Sequence, residues 1–147
     1  MRRFEKCTTA TETTRLPQRS TEQAAGYDFY SPVSITIGPK QWGMVRTHIK
    51  AKMAADDVLM IFPRSSMGCK KHLMLSNTVG IIDSDYYNNQ DNEGNIIIAI
   101  YNYGDRAQHI DVGDKVAQGI FLKFGITADD ATAAKEERRG GIGSTGE

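Results

Sequence analysis

Four short apolar runs, each closed by a glycine, a proline or an asparagine, restrict this chain to a β architecture. "VSITI" (33–37) alternates and stops at Gly38-Pro39, so every second side chain falls on one face of a strand. "VLMIF" (58–62) is continuous and ends at Pro63, the pattern of a buried strand. "NIIIAIY" (95–101) is a second such run, and "KVAQGIFLKF" (115–124) follows "HIDV" (109–112) across a Gly113-Asp114 turn. "MVRTHIKA" (44–51) alternates loosely, and "NNQDNEG" (88–94) is rich in turn formers and reads as a loop or long hairpin tip. Short strands at this spacing predict an all-β sandwich, jelly roll or distorted β-barrel. One short helix is expected at "SSMGCKKHLM" (65–74), with Leu73 and Met74 turning inward.

A chain of 147 residues makes one domain and buries roughly 70% of its unfolded surface. The composition changes after Phe124. Residues 128–147 are poor in large apolar side chains, with a short helical turn expected at "DATAAKEE" and glycines beyond it. Composition alone reads this as a disordered tail, which divides the chain into a folded part, 1–127, and an arm, 128–147.

Lys+Arg and Asp+Glu both count 18, so no global charge marks the chain for direct nucleic-acid or membrane binding. No apolar run has the length of a membrane span, and the opening "MRRFEKCTTATETTRLP" lacks the apolar stretch of a secretory leader. Two distant cysteines, Cys7 and Cys69, fit a reducing cytoplasm. His48, His72 and His109 have no metal-ligand spacing and read as structural or surface residues.

Five polar segments interrupt the strands. "AAGYDFYS" (24–31) sets Asp28 beside aromatics; alone it reads as an edge strand. "PRSSMG" (63–68) sets Arg64, Ser65 and Ser66 after a buried strand. A helix starting there would turn free N–H groups, hydroxyls and a guanidinium toward one anion. "GIIDSDYY" (80–87) ends an apolar run at Asp83 and Asp85, which in a strand share a face and repel. Alone, it is a polar turn. "VGDKVAQGIF" (112–121) places one amide, Gln118, in an apolar strand, where it needs a partner or faces outward. "RRGGIGSTG" (138–146) offers arginines, hydroxyls and glycines able to wrap an anion, without the spacing of a P-loop.

In this order, with "NTVGIIDSDYY" as the third, the segments resemble the five motifs of the trimeric dUTPase family, in its bacterial and phage-like form, and span residues 24–146. The resemblance implies a jelly roll with one short helix, assembled as a homotrimer in a cytoplasmic setting. Its three sites would each draw the third motif from one chain, the first, second and fourth from another, and the arm from the last. It implies Mg²⁺-dependent hydrolysis of dUTP to dUMP and pyrophosphate, with Asp83 as the general base that activates water. Tyr86 would pack on the deoxyribose and exclude a 2′-hydroxyl. The run including Gly80 and Ile82 would form a hairpin whose backbone pairs with uracil, with Asn77 reading the base. Arg64, Ser65, Ser66 and Gln118 would contact phosphates, and Asp28 the metal through water. Asp85 remains structural, and Tyr87 has no assigned role.

The arm departs from the family pattern. Ile142 stands where a phenylalanine usually stacks over uracil. Glu137 takes the usual arginine slot, and Arg138 and Arg139 follow; Arg139, directly before Gly140 and Gly141, is the expected γ-phosphate ligand, with Ser144 and Thr145 in pattern. Loop 88–94 is longer than expected and is a source of contacts that Ile142 lacks. The alternatives are a dCTP deaminase, which needs a catalytic glutamate where "DSDYY" stands, and a phage-type regulatory binding protein with a protein partner.

Overall fold

In the computed structural model, which describes residues 1–146, the apolar runs pair as antiparallel strands. In chain order these are β1 (Arg3–Lys6), β2 (Tyr27–Tyr30), β3 (Ile35–Ile37), β4 (Trp42–Arg46), β5 (Ile49–Lys52) and β6 (Asp57–Phe62). After the helix α1 (Ser65–Lys71) come β7 (Leu73–Leu75), β8 (Gly80–Asp83), β9 (Ile97–Asn102), β10 (Gln108–Ile110) and β11 (Lys115–Lys123). A four-stranded sheet has the order β2-β11-β6-β8, and a three-stranded sheet the order β4-β9-β7. The pairs β1-β5 and β10-β3 complete the wall. No helix among the described residues is long and apolar enough to cross a membrane.

Alternation decides which side chains make the core. In β9, Ile98 and Ile100 point inward with Asn102; in β6, Leu59 and Ile61 do. Val45, Leu73, Leu75 and Val116 meet them. Each such aliphatic side chain contributes about 1.5–3 kcal/mol on leaving water. The buried amide of Asn102 is satisfied: it donates to the carbonyls of Ile37 (3.0 Å) and Arg106 (2.7 Å) and accepts from the N–H of Gly104 (3.0 Å).

Several boundaries differ from the sequence expectation. The stretch 44–51 divides between β4 and β5, because His48 adopts a left-handed conformation (φ 58°). There the buried Thr47 hydroxyl donates to the Ile96 carbonyl at 2.7 Å. The helix ends at Lys71 rather than running to Met74. His72 closes it in a left-handed conformation (φ 54°) and donates its N–H to the Met67 carbonyl. Leu73 and Leu75 then bury alternate side chains as a strand against β9. "RFEK" shows no strand pattern, yet β1 forms because Phe4 packs edge-on to Phe29 at 5.5 Å and beside Phe121 at 5.4 Å. Cys7 and Cys69 are free thiols, the first buried and the second exposed.

The segment expected as a hairpin before Asp83 is split. Its first limb, β7, is the last strand of the three-stranded sheet, and its second limb, β8, is the last strand of the four-stranded sheet. The turn between them is held by Thr78 N–H on the Leu75 carbonyl (2.9 Å) and Val79 N–H on the Asn77 carbonyl (2.8 Å). A strand at a sheet edge leaves one row of N–H and C=O groups without ladder partners. The limbs therefore part with free backbone edges between them.

Candidate active site

A cleft of about 1090 Å³ opens at that parting. Asn77, Gly80, Ile82, Asp83 and Tyr86 line it from the body of the chain, and Gly141, Ile142, Ser144 and Thr145 from the arm. Tight approach governs two of these positions. A side chain on Gly80 would stand 3.1 Å from Ile61 Cβ, and one on Gly141 the same distance from Tyr86 Cε1. Trp42 and Tyr101, opposite one another in the β4-β9 register, extend the wall.

Loop 88–94 holds Tyr86. The phenol is buried, donates to the Asn95 carbonyl at 2.6 Å and accepts from the Asn92 amide at 2.8 Å. Burial raises its pKa, against a smaller opposing effect of the Asn92 hydrogen bond. The loop is knotted by its own amides. Asn89 Oδ1 accepts from the N–H groups of Asp91 (3.0 Å) and Asn92 (3.1 Å), while its Nδ2 donates to the Tyr86 carbonyl (2.8 Å). Lys50 Nζ clasps Asn88 Oδ1 (2.7 Å) and Glu93 Oε1 (2.8 Å), and Thr8 donates to Glu93 through both hydroxyl and N–H. Lys50 and then Thr8 hold the Glu93 carboxyl down at about 2. Gly94 ends the loop with φ 90°, where a Cβ would meet the Tyr86 carbonyl at 2.8 Å, so only glycine fits.

The like-charged pair that interrupts the apolar run is bridged. Asp83 ends β8, and residues Ser84–Tyr86 form a 3-10 turn. Arg138 donates from Nη2 to Asp83 Oδ2 and from Nε to Asp85 Oδ1, both at 2.6 Å. Arg139 is exposed and turns its carbonyl to the Asp91 N–H at 3.0 Å. Gly140 is buried against Asp91, and a Cβ there would overlap the Asp91 carboxylate. Arg138, rather than Arg139, therefore sends its guanidinium into the cleft. In the single chain, the arm lies over the cleft of its own chain.

The remaining sequence-selected residues collect elsewhere. Asp28 is buried and holds Arg64 Nε at 3.2 Å and Lys115 Nζ at 3.3 Å. Gln118 stands opposite both Asp28 and Phe62 in the registers of β11, and its Nε2 donates to the Pro63 carbonyl at 3.2 Å. Ser65 and Ser66 open α1 and are exposed. This cluster lies at the Phe62 end of β6, whereas Asp83 pairs with Val58 at the other end. Four residues of strand separate them, roughly 13 Å at 3.3 Å per residue. The cluster counts two cations to one carboxylate; the cleft is lined by Asp83, Asp91 and Arg138, with Asp85 on the far side of Arg138.

Neither group builds a metal cage by itself. Among the described residues no three His, Cys, Asp or Glu side chains converge as metal ligands, and both Asp28 oxygens face cations. Asp85, Asp91, Asn92 and Lys115 are the residues that sequence reasoning did not select. The Asp83/Asp85 spacing signalled the first, and the length of loop 88–94 signalled Asp91 and Asn92; nothing signalled Lys115.

The dUTPase family model matches residues 12–146. The deoxyuridine 5′-triphosphate nucleotidohydrolase of Lactococcus lactis is 44% identical over 131 residues, covering 89% of this chain and 87% of the relative. That of Actinobacillus pleuropneumoniae serotype 5b is 33% identical over 139 residues, with the same coverage of both. The crystal structure of a dUTPase from Streptococcus mutans superposes with a TM-score of 0.80 at 41% identity, over 84% of this chain and 97% of the other.

Proposed function

The chain belongs to the dUTPase family, and from that premise we propose how its own residues hydrolyse dUTP to dUMP and pyrophosphate. The observation that carries the reading is the place of Asp83. Its carboxylate stands at the rim of a cleft floored by two free sheet edges, and Oδ1 accepts no hydrogen bond among the described residues. Uracil enters between β7 and β8, where backbone donors and acceptors and the Asn77 amide match its polar edge. A base with the wrong donor pattern leaves buried groups unpaired, which such sites reject strongly. Tyr86, locked by Asn92 and Asn95, walls the deoxyribose. Asp83 takes the proton of the attacking water as it adds to the α-phosphorus.

The one arginine of the cleft, Arg138, is taken up by two carboxylates, so the phosphates need further cations. Arg64 and Lys115 supply them from the other end of β6, with Ser65, Ser66 and Gln118 as neutral hydrogen-bonding partners. With these groups at opposite ends of β6, the complete site would form between chains of a homotrimer, with the arm exchanged onto a neighbouring cleft. A bound Mg²⁺ would polarise the phosphate oxygens, and Asp28 is the residue that would hold it, through water. The free thiols accord with a cytoplasmic setting.

Incubation of the purified protein with dUTP and Mg²⁺ tests the reading. Release of pyrophosphate and dUMP, without ammonia and with UTP and dCTP left intact, is the expected result. Ammonia release would replace it with deamination. Tight dUTP binding without turnover would leave a regulatory nucleotide switch.

A further inference from the structure

Asp85 has no place in the chemistry above, yet its carboxylate is half of a two-acid clasp. Arg138 is the enclosed member, 17% exposed, against 46% for Asp83 and 60% for Asp85. A guanidinium is a rigid planar fork, so the atom bound at Nε fixes the direction of Nη2. Here Nε is bound by Asp85 and Nη2 reaches Asp83 Oδ2. We propose that Asp85 is a positioning residue that acts through Arg138 to orient the Asp83 carboxylate, so that seating the arm and aiming the base are one event. With Oδ2 held, Oδ1 is the oxygen left to accept from water.

The rest of the arm supports this geometry from the opposite side. The Asp91 N–H holds the Arg139 carbonyl at 3.0 Å, Gly140 packs on the Asp91 side chain, and Gly141 on the Tyr86 ring. Arg138 also donates from Nη1 to the Gly140 carbonyl at 3.1 Å, which keeps its stem against the same turn. With the arm exchanged between chains, Arg138 has to make the same contacts to Asp83 and Asp85 of the neighbouring chain for the relay to hold. It rests on the reading of Asp83 as base.

The test is a double-mutant cycle on Asp85→Asn and Arg138→Ala, with kcat and KM for dUTP read for each. Both single variants should lose kcat by roughly tenfold, the scale of a displaced orienting contact, and the double variant should lose no more than the worse single. Asp85→Glu should recover part of the loss. Tryptic cleavage after Arg139 in the nucleotide-free protein should quicken in Asp85→Asn, an arm-seating readout independent of turnover. Independent, multiplying losses in kcat would overturn the relay. So would a lowered KM at unchanged kcat, the signature of a carboxylate that merely repels phosphate. Asp83→Asn with full turnover would instead remove the base assignment, while the cleavage rates would still report whether Asp85 seats the arm.

Discussion

Asp83 and Gln118 flank the same strand at opposite ends: Asp83 pairs with Val58, and Gln118 with Phe62. The residues proposed as general base and phosphate contact are thus held apart along β6 in one chain. This separation supports the proposal of a site shared between chains.

Shared sites permit complementation. Asp83→Asn and Gln118→Ala chains should each be nearly inactive alone. After unfolding and refolding together in equal amounts, they should recover roughly a quarter of wild-type activity, because a quarter of randomly paired interfaces then carry both native halves. Light scattering should give the trimer mass. A mixture no more active than its parts would place both halves of the site in one chain.

Asp83→Asn keeps shape but cannot accept the proton. Turnover should fall about 10²- to 10⁴-fold, while binding of a non-hydrolysable dUTP analogue, read by the fluorescence of the single tryptophan, Trp42, at the cleft wall, stays near wild type. Turnover within twofold of wild type would exclude Asp83 as base.

Gly140→Ala should act on the arm alone. The added methyl meets the Asp91 carboxylate, so the arm seats poorly and kcat/KM falls by at least about tenfold. The thermal midpoint should hardly move, since the core lies outside the arm. A variant with native kcat/KM would mean that the Asp91 contact is not formed during turnover.

Ile142 is 80% exposed at the cleft rim, free to cover a base but unable to stack. Ile142→Phe should tighten binding of the dUTP analogue, since base–aromatic stacking is worth about 1–3 kcal/mol in nucleic-acid sites. Unchanged or weaker binding would show that the space over uracil is already filled, with Asp91 and Asn92 of the 88–94 loop, which line the same cleft, as the candidates.

Acid should weaken the fold through Glu93. Its carboxyl is lowered in the folded protein from the ordinary value of 4.5 to about 2 by Lys50 and Thr8. A depressed carboxyl contributes stability above the unfolded value and loses it as pH falls through the folded one. Thermal midpoints measured from pH 5 to pH 2 should drop less steeply in Glu93→Gln than in the wild type. Asp57, lowered first by its hydrogen bond to Arg2, tilts both proteins alike. Parallel curves would show that Glu93 is not tied to Lys50 in solution.

Strand content and the order of polar segments were legible in the sequence because both depend on near neighbours in the chain. Side-chain alternation, a proline after Phe62 and a glycine after Ile37 act within a few residues. Asp28, Arg64, Asp83 and Gln118 stood out locally as polar residues between strands, and their site roles came from the resemblance to the dUTPase motifs. The α1 boundary was less legible, since Leu73 and Leu75 could serve helix or strand equally until β9 lay beside them. Strand β1 had no pattern of its own and exists because Phe4 finds Phe29 and Phe121 across the fold.

What only the tertiary structure decided is which polar residues meet. The assignment of β7 and β8 to different sheets turns an expected hairpin into a cleft with two free edges. The guanidinium of Arg138, not Arg139, enters that cleft, because Asp91 takes the Arg139 carbonyl and turns the chain. Asp85 gains its partner from 53 positions away, a distance over which no periodicity in a sequence extends. Such contacts depend on sheet order and on the path of the arm, and these are set by the burial of the whole core at once rather than by any local run of residues.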